Sequence, residues 1–105
     1  MGLHIKQRHP EQSIASGELG QTVRIFEGHW YFAPEAVNPE YLKVSERTYT
    51  CSYKGTCYWI DLETPDLRIE NFAWVYRDPK PNFWFIKDRI GFYVRDTDQT
   101  VAVQD

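Results

Sequence analysis

The chain has 105 residues, with 12 Lys and Arg against 15 Asp and Glu and a net charge of -3, which is the size of one domain. Its 42% hydrophobic content is enough for a core without help from a metal ion or disulfide bonds. Nucleic acid and anionic lipid bind clustered Lys and Arg, and the mixed charges here provide no such cluster. The apolar runs are far too short to span a bilayer, and the first residues lack a secretion signal. We therefore expect a soluble, cytoplasmic single domain over residues 1–105, with no nucleic-acid or membrane partner.

Aromatic residues in short alternating segments predict a mostly β fold. The chain contains six Phe, seven Tyr and four Trp, which favour pleated, half-buried surfaces. Residues 22–26 and 29–32 predict two strands joined by a tight turn at Glu27 and Gly28, where Gly28 takes a positive φ. Pro34 and Pro39 leave room for one helical turn at most between them.

The period-two alternation continues along the rest of the chain. Residues 47–53 and 56–62 predict two paired strands, and residues 67–76 predict a central strand because both of its faces carry apolar side chains. Two prolines at 79 and 81 end that strand. We expect about eight short, mainly antiparallel strands in a compact barrel or a pair of sheets, with at most one or two short helical turns. The closing strands of this fold are predicted at residues 83–87, 90–95 and 100–103.

The segment 50–59 predicts a hairpin whose register decides what its two cysteines can do. A two-residue turn at Lys54 and Gly55 would send Cys51 and Cys57 to opposite faces and would force Lys54 to a costly positive φ. A three-residue loop at 53–55 requires a left-handed conformation of Gly55 alone, so we predict this loop. It pairs Cys51 with Cys57. The same face also carries two aromatic side chains, Tyr49 and Trp59.

Three interpretations of the two thiols are open. A structural zinc site needs four ligands, and the three histidines show no paired spacing with the thiols. Redox chemistry needs a lowered thiol pKa, which Lys54 could supply, but the Cys-x-x-Cys spacing is absent. In the third interpretation both cysteines are small apolar residues packed between aromatic rings. We expect the third, with both thiols reduced and with no metal ion or cofactor. The three histidines are His4, His9 and His29.

The hairpin tip and the strand 67–76 carry the candidates for ligand binding. Lys54 is either an anion-binding group, acting with nearby backbone N–H groups, or a solvated turn residue. Trp59, Trp74 and Tyr76 either line a pocket for a planar ligand or fill the core. We predict a ligand site where the hairpin meets the strand. Its residues are Cys51, Tyr53, Lys54, Gly55, Trp59, Trp74 and Tyr76.

The remaining polar residues have ordinary structural interpretations. Asp61, Glu70 and Asp78 are candidate acids for proton transfer, and each is expected to be a strand-edge or turn charge. His29 is expected to be half-buried and hydrogen-bonded. Three dispersed arginines are expected to make surface pairs: Arg24, Arg68 and Arg77.

Two separated motifs, together with the segments before them, resemble a known family. The motifs are Cys51-x-Tyr53-Lys54-Gly55-x-x-Tyr58-Trp59 and Phe72-Ala73-Trp74-x-Tyr76-x-Asp78-Pro79. The earlier Trp30-Tyr31-Phe32-x-Pro34-Glu35 and Thr48-x-Thr50 fit the same pattern. The chain resembles, over residues 23–92, the domain-of-unknown-function family 427, which is also catalogued as a nucleotidyltransferase-like family.

The resemblance implies a small, mostly β domain similar to the Mss4-like or β-tent folds, without the zinc-binding cysteine pairs of those folds. It implies no established activity. Cys57 departs from the family, whose members more often have a small residue there. Nucleotidyl transfer would need a Gly-Ser pair for the triphosphate and an Asp-x-Asp for Mg²⁺. The closest matches, Ser16-Gly17 and Asp96-x-Asp98, have the composition of ordinary loops.

Three functions therefore stay open. The first is a domain that binds a small anionic or planar ligand at the hairpin. The second is an enzyme acting through Cys51 or a carboxylate, including the nucleotidyltransferase-like activity. The third is an interaction module that pairs through a strand edge or an aromatic patch, for example as a homodimer. We favour the first because both motifs combine a polar group with large aromatic side chains.

Overall fold

The computed structural model describes residues 1–105 and is mostly β, as the sequence predicts. It contains no α-helix, and none of its helical turns has the length and apolar character needed to cross a membrane. The nine strands are β1 (Gly2–Gln7), β2 (Gln12–Glu18), β3 (Val23–Phe26), β4 (His29–Phe32), β5 (Leu42–Cys51), β6 (Gly55–Thr64), β7 (Leu67–Val75), β8 (Ile90–Phe92) and β9 (Thr100–Gln104). Three 3-10 turns span Pro34–Ala36, Pro39–Tyr41 and Pro81–Ile86.

The strands form two antiparallel sheets. The small sheet has the order β2-β1-β9, and the large sheet has the order β3-β4-β8-β7-β6-β5. β7 lies inside the large sheet between β6 and β8, which agrees with the prediction of a central strand. The turn between β3 and β4 is also as predicted, with Gly28 at a φ of 76°.

Each 3-10 turn begins with a proline, because a fixed φ and a missing N–H suit the first position of a helical turn. The third turn occupies the place where the sequence predicts a strand at 83–87, so that prediction is wrong. Phe83 N–H donates to the Lys80 carbonyl at 2.8 Å, and Lys87 N–H donates to the Trp84 carbonyl at 3.0 Å. These local hydrogen bonds replace the ladder bonds that a strand would make.

The main core lies between the two sheets. The small sheet contributes Leu3 and Ile14, both fully buried, although its first two strands were not predicted from the sequence. Burying each such side chain stabilises the fold by about 1.5–3 kcal/mol. The large sheet contributes Phe32, Ile60, Leu62, Val75 and Phe92.

A second, smaller cluster involves the large sheet and the third 3-10 turn. Ile86 from that turn is fully buried within it. The other buried members come from β4, β6, the end of β7 and the residue after it: Tyr31, Cys57, Trp74 and Tyr76. This aromatic cluster borders the site described below.

Asp61 is buried rather than a strand-edge charge, which corrects the sequence prediction. Its side chain is 7% exposed and lies where the pairing of β6 with β7 shifts register. The carboxylate accepts from the Asn71 N–H at 3.0 Å and from the Arg47 guanidinium, and Arg68 lies 3.5 Å away. Asn71 itself has a φ of 53°. Glu70 is exposed in β7, as expected.

Candidate functional site

The hairpin of β5 and β6 has a different register from the predicted one. Cys51 lies opposite Gly55, and Cys57 lies opposite Tyr49. The predicted pairing of Cys51 with Cys57 is therefore wrong, and the loop consists of residues 52–54. Gly55 does have a positive φ, of 109°. The two thiols share a face of the hairpin at diagonal positions, and both cysteines are free.

A distant segment explains this register. The Lys80 N–H donates to the Lys54 carbonyl at 2.9 Å, and the Lys80 ammonium donates to the Ser52 carbonyl at 2.7 Å. The Asp78 carbonyl lies 3.6 Å from the point where a Cβ on Gly55 would be. The second sequence motif thus packs on the loop of the first. Tertiary contacts, rather than turn chemistry alone, fix which residues form the loop.

A pocket of about 140 Å³ opens beside this hairpin. Most of its lining is aromatic. Its residues come from β4, β5, β6, β7, the two hairpin turns, and the positions directly after β7 and β8. Four of the predicted site residues line it: Lys54, Trp59, Trp74 and Tyr76. We refer to this cavity as the aromatic pocket.

The rings of the aromatic pocket are steeply inclined to one another. The Trp59 and Trp74 ring centres are 6.1 Å apart at 80°, and those of Trp74 and Tyr93 are 4.9 Å apart at 65°. Tyr49 lies 6.4 Å from Trp59, at 51°. The aromatic rings therefore surround the cavity at different orientations and do not form two parallel walls. The predicted shared face for Tyr49 and Trp59 is confirmed.

An ion pair forms the polar end of the pocket. The Lys54 ammonium donates to the Glu27 carboxylate, and the Lys54 side chain is 15% exposed. Burial acts to lower the pKa of Lys54, but Glu27 outweighs it and the pKa lies above its usual value, so the lysine stays charged. Glu27 has a φ of 54° in the turn between β3 and β4. The ion pair thus joins turns from opposite ends of the large sheet, which must curl to bring them together.

Burial favours the uncharged forms of four other titratable side chains of the pocket. Burial lowers the pKa of His29 and raises the pKa of Tyr31, Tyr76 and Cys57. The Tyr31 hydroxyl accepts from Trp74 Nε1 at 3.1 Å. His29 is half-buried as predicted, but its ring contacts Trp74 edge-on at 5.0 Å instead of making the expected hydrogen bond. The lining therefore carries one positive and one negative charge.

Gly91 lets Trp74 take its position. A Cβ on Gly91 would lie 2.5 Å from Trp74 Nε1 and 2.9 Å from Tyr31 Cε2, which is closer than side-chain atoms pack. The bare backbone of β8 therefore supports the indole that forms the centre of the pocket wall.

A family model described as Domain of unknown function (DUF427) matches residues 4–103 of the chain. The chain belongs to the DUF427 family. The match confirms the resemblance drawn from the sequence motifs. It extends that resemblance to β1 and β9, the first and last strands of this DUF427 domain. A search of curated proteins finds no match.

Three of the residues predicted for the site do not line the aromatic pocket of this DUF427 domain. Tyr53 is 75% exposed at the loop tip. Gly55 lies under the segment 78–80, and Cys51 is half-buried at the end of β5. The predicted site is therefore brought together in part, around Lys54 and three aromatic residues.

Several pocket residues were missed in the sequence analysis. The tyrosines occur in predicted strands, and following the alternation on both sides of each hairpin would have included them. Nothing in the sequence indicates that Glu27 belongs to the site, because only the curl of the large sheet brings its turn close to Lys54. The added lining residues are Glu27, His29, Tyr31, Tyr49, Cys57 and Tyr93.

The residues considered for nucleotidyl transfer have structural contacts elsewhere. Ser16 lies in β2, where its hydroxyl is 2.8 Å from His4 Nδ1. Asp96 accepts from the Ala102 N–H at 3.1 Å. Neither residue lines the aromatic pocket. No group of three or more His, Cys, Asp or Glu side chains is arranged to hold a metal ion.

Proposed function

We propose that this DUF427 domain binds a small molecule in the aromatic pocket, with the polar end of the ligand at Lys54. The single observation that carries the proposal is the inward position of that lysine. A lysine on a hairpin turn ordinarily keeps its strongly hydrated ammonium in water. Here the side chain is 15% exposed and borders an apolar cavity, an arrangement that suits a polar contact to a bound ligand.

The size of the pocket limits the ligand. Its volume is about 140 Å³, and a protein cavity of about 150 Å³ is known to hold one benzene molecule. The ligand, or the part of it that enters, is therefore comparable to a single ring. Two chemistries fit this size: a planar ring lying on the face of an indole, and a compact group with an anionic end near Lys54.

The proposal is tested by screening small metabolites for an increase in thermal stability and a change in tryptophan fluorescence. A ligand at one hundred times its Kd stabilises the folded state by about 2.7 kcal/mol. We expect hits on the unmodified protein to lose most of their effect in Lys54→Met and in Trp74→Phe. The matched control is Trp84→Phe, because Trp84 is 56% exposed and does not line the pocket. A ligand that stabilises all three variants equally would contradict the proposal.

Cysteine protection gives a second measurement on the same complex. Cys57 lines the pocket and Cys51 does not. A bound ligand should slow the alkylation of Cys57 while leaving the rate at Cys51 unchanged, and Cys51 thus serves as the internal control. Equal protection of both thiols would indicate a general stabilisation instead of pocket binding.

A second candidate function is an enzyme acting through Cys51. The backbone N–H groups of Lys54 and Tyr53 lower the pKa of Cys51, and a thiolate present near neutral pH is the reactive form in nucleophilic catalysis. This candidate requires Cys51 to react well below the pH at which ordinary thiols do. Alkylation of Cys51 at graded pH tests this candidate.

A further inference from the structure

We propose that the ligand of the aromatic pocket is a small zwitterion, with a methylated ammonium among the aromatic rings and a carboxylate at Lys54. This inference rests on the proposed function and names the chemical class of its ligand. It is carried by the charges of the lining, the angles between the rings, and the hydrogen-bonding groups that remain free.

The charges of the pocket favour a ligand without net charge. Lys54 and Glu27 carry the only charges of the lining, and they are paired with each other. A simple cation would be repelled by Lys54, and a simple anion would be repelled by Glu27. A ligand that carries both charges at separate ends can direct each towards a favourable partner.

The ring geometry favours a rounded cation over a flat ring. The steep angles between Trp59, Trp74 and Tyr93 direct ring faces and edges towards a common space. A cation within about 6 Å of an aromatic face is attracted by the ring, and quaternary ammonium groups are bound in this way. One ring of the pocket already contacts a cation, since the Arg95 guanidinium lies 4.5 Å from the Tyr93 ring centre.

The free hydrogen-bonding groups distinguish the two ends of the ligand. An ammonium has three N–H donors, and the Lys54 ammonium uses one of them on Glu27. It can therefore still donate to a carboxylate. Among the rings, in contrast, the lining is mostly apolar. A primary ammonium there would lose hydrogen bonds to water, whereas a trimethylammonium group has no N–H to satisfy.

The experiment compares probes of matched shape on the unmodified protein, by calorimetry and tryptophan fluorescence. The probes are glycine betaine, the tert-butylacetate anion, tetramethylammonium and benzamide. Tert-butylacetate has the shape of glycine betaine with carbon in place of the charged nitrogen. We expect glycine betaine to bind about 30-fold more tightly than tert-butylacetate, since this corresponds to the size of a desolvated cation–aromatic contact. It should also bind more tightly than tetramethylammonium, which lacks the carboxylate.

Two variants test which pocket residues contact the carboxylate and the methylated ammonium of the ligand. Lys54→Met should weaken glycine betaine binding without weakening that of tetramethylammonium. Trp59→Leu should weaken both, because it removes a ring face. Trp84→Phe, outside the pocket, should leave both affinities unchanged.

Each contrary outcome has a separate meaning. Equal binding of glycine betaine and tert-butylacetate would overturn the inference, because the positive charge would then contribute nothing. Tighter binding of benzamide would also overturn it and would assign the pocket to planar ligands, with the proposed function intact. Failure of all probes and of the metabolite screen would contradict the proposed function itself.

Discussion

Cys51 and Cys57 lie on the same face of one hairpin in opposite electrostatic environments. The N–H groups of Lys54 and then of Tyr53 lower the pKa of Cys51, while burial raises the pKa of Cys57. Cys57 is also 2% exposed. A thiol reacts as the thiolate and only when a reagent reaches it. The two residues should therefore differ strongly in reactivity.

We predict that iodoacetamide alkylates Cys51 several-fold faster than Cys57 in the folded protein near neutral pH. Mass spectrometry of each single-cysteine variant, Cys51→Ser and Cys57→Ser, measures the two rates separately. The rate at Cys51 should stay appreciable below about pH 8, where an ordinary thiol is mostly protonated. In denaturant the two rates should become equal. A slower rate at Cys51 would contradict the assigned pKa directions and would remove the enzyme candidate.

At the scale of the strands, Asp61 links β5, β6 and β7. Burial acts to raise the pKa of Asp61, but the Asn71 N–H and the Arg47 guanidinium outweigh it, and the pKa lies below its usual value. A lowered carboxyl pKa means that the folded state favours the charged form. The stabilisation is present above the pKa of the unfolded chain and is lost as the pH falls through the folded pKa.

We predict that Asp61→Asn lowers the free energy of unfolding by about 1.5–3 kcal/mol near neutral pH, the usual range for a hydrogen bond to a charged group. The difference from the unmodified protein should shrink below about pH 4, where the carboxyl group takes up a proton in the unfolded chain more readily than in the folded protein. Urea unfolding at several pH values measures it. The control is Glu63→Gln, since Glu63 is 40% exposed beside Arg68 and such exposed pairs contribute about 0–1 kcal/mol. A loss that is independent of pH would show that the charge is not what stabilises.

Strands and turns were predictable where the signal is local. The turn at Gly28 and the central position of β7 follow from glycine conformation and apolar patterning. The hairpin register could not be predicted in this way, because the loop is fixed by a hydrogen bond from Lys80, which lies more than twenty residues further along the chain. β1 was missed although Leu3 and Ile5 are buried and alternate with more exposed residues. Lys54 was recognised because it lies within a motif, whereas its partner Glu27 comes from another turn.

At the scale of the whole molecule, one core joins the two sheets. Leu3 from β1 is fully buried in the same cluster as Leu62 from β6 and Phe92 from β8. The small sheet has only three strands and needs this contact to bury its apolar face. The sheets should therefore unfold together, even though the aromatic pocket borders only the large one.

We predict that Leu3→Ala lowers the free energy of unfolding by about 2–5 kcal/mol and shifts the whole unfolding curve. Far-ultraviolet circular dichroism reports both sheets, and tryptophan fluorescence reports the large one, since all four tryptophans lie in it or in the third 3-10 turn. The two curves should coincide for a two-state chain. Val44→Ala serves as the control because Val44 is 47% exposed. Curves that separate would show that the small sheet unfolds independently.

The pair of indoles in the pocket wall has an optical consequence. Trp59 and Trp74 lie 6.1 Å apart and nearly perpendicular, close enough for their electronic excitations to couple. The folded protein should therefore show two exciton bands of opposite sign in its circular dichroism spectrum. Because the sign and strength of such a band depend on the angle between the two chromophores, a small tilt of either ring would alter it, and no external dye is needed to follow that movement.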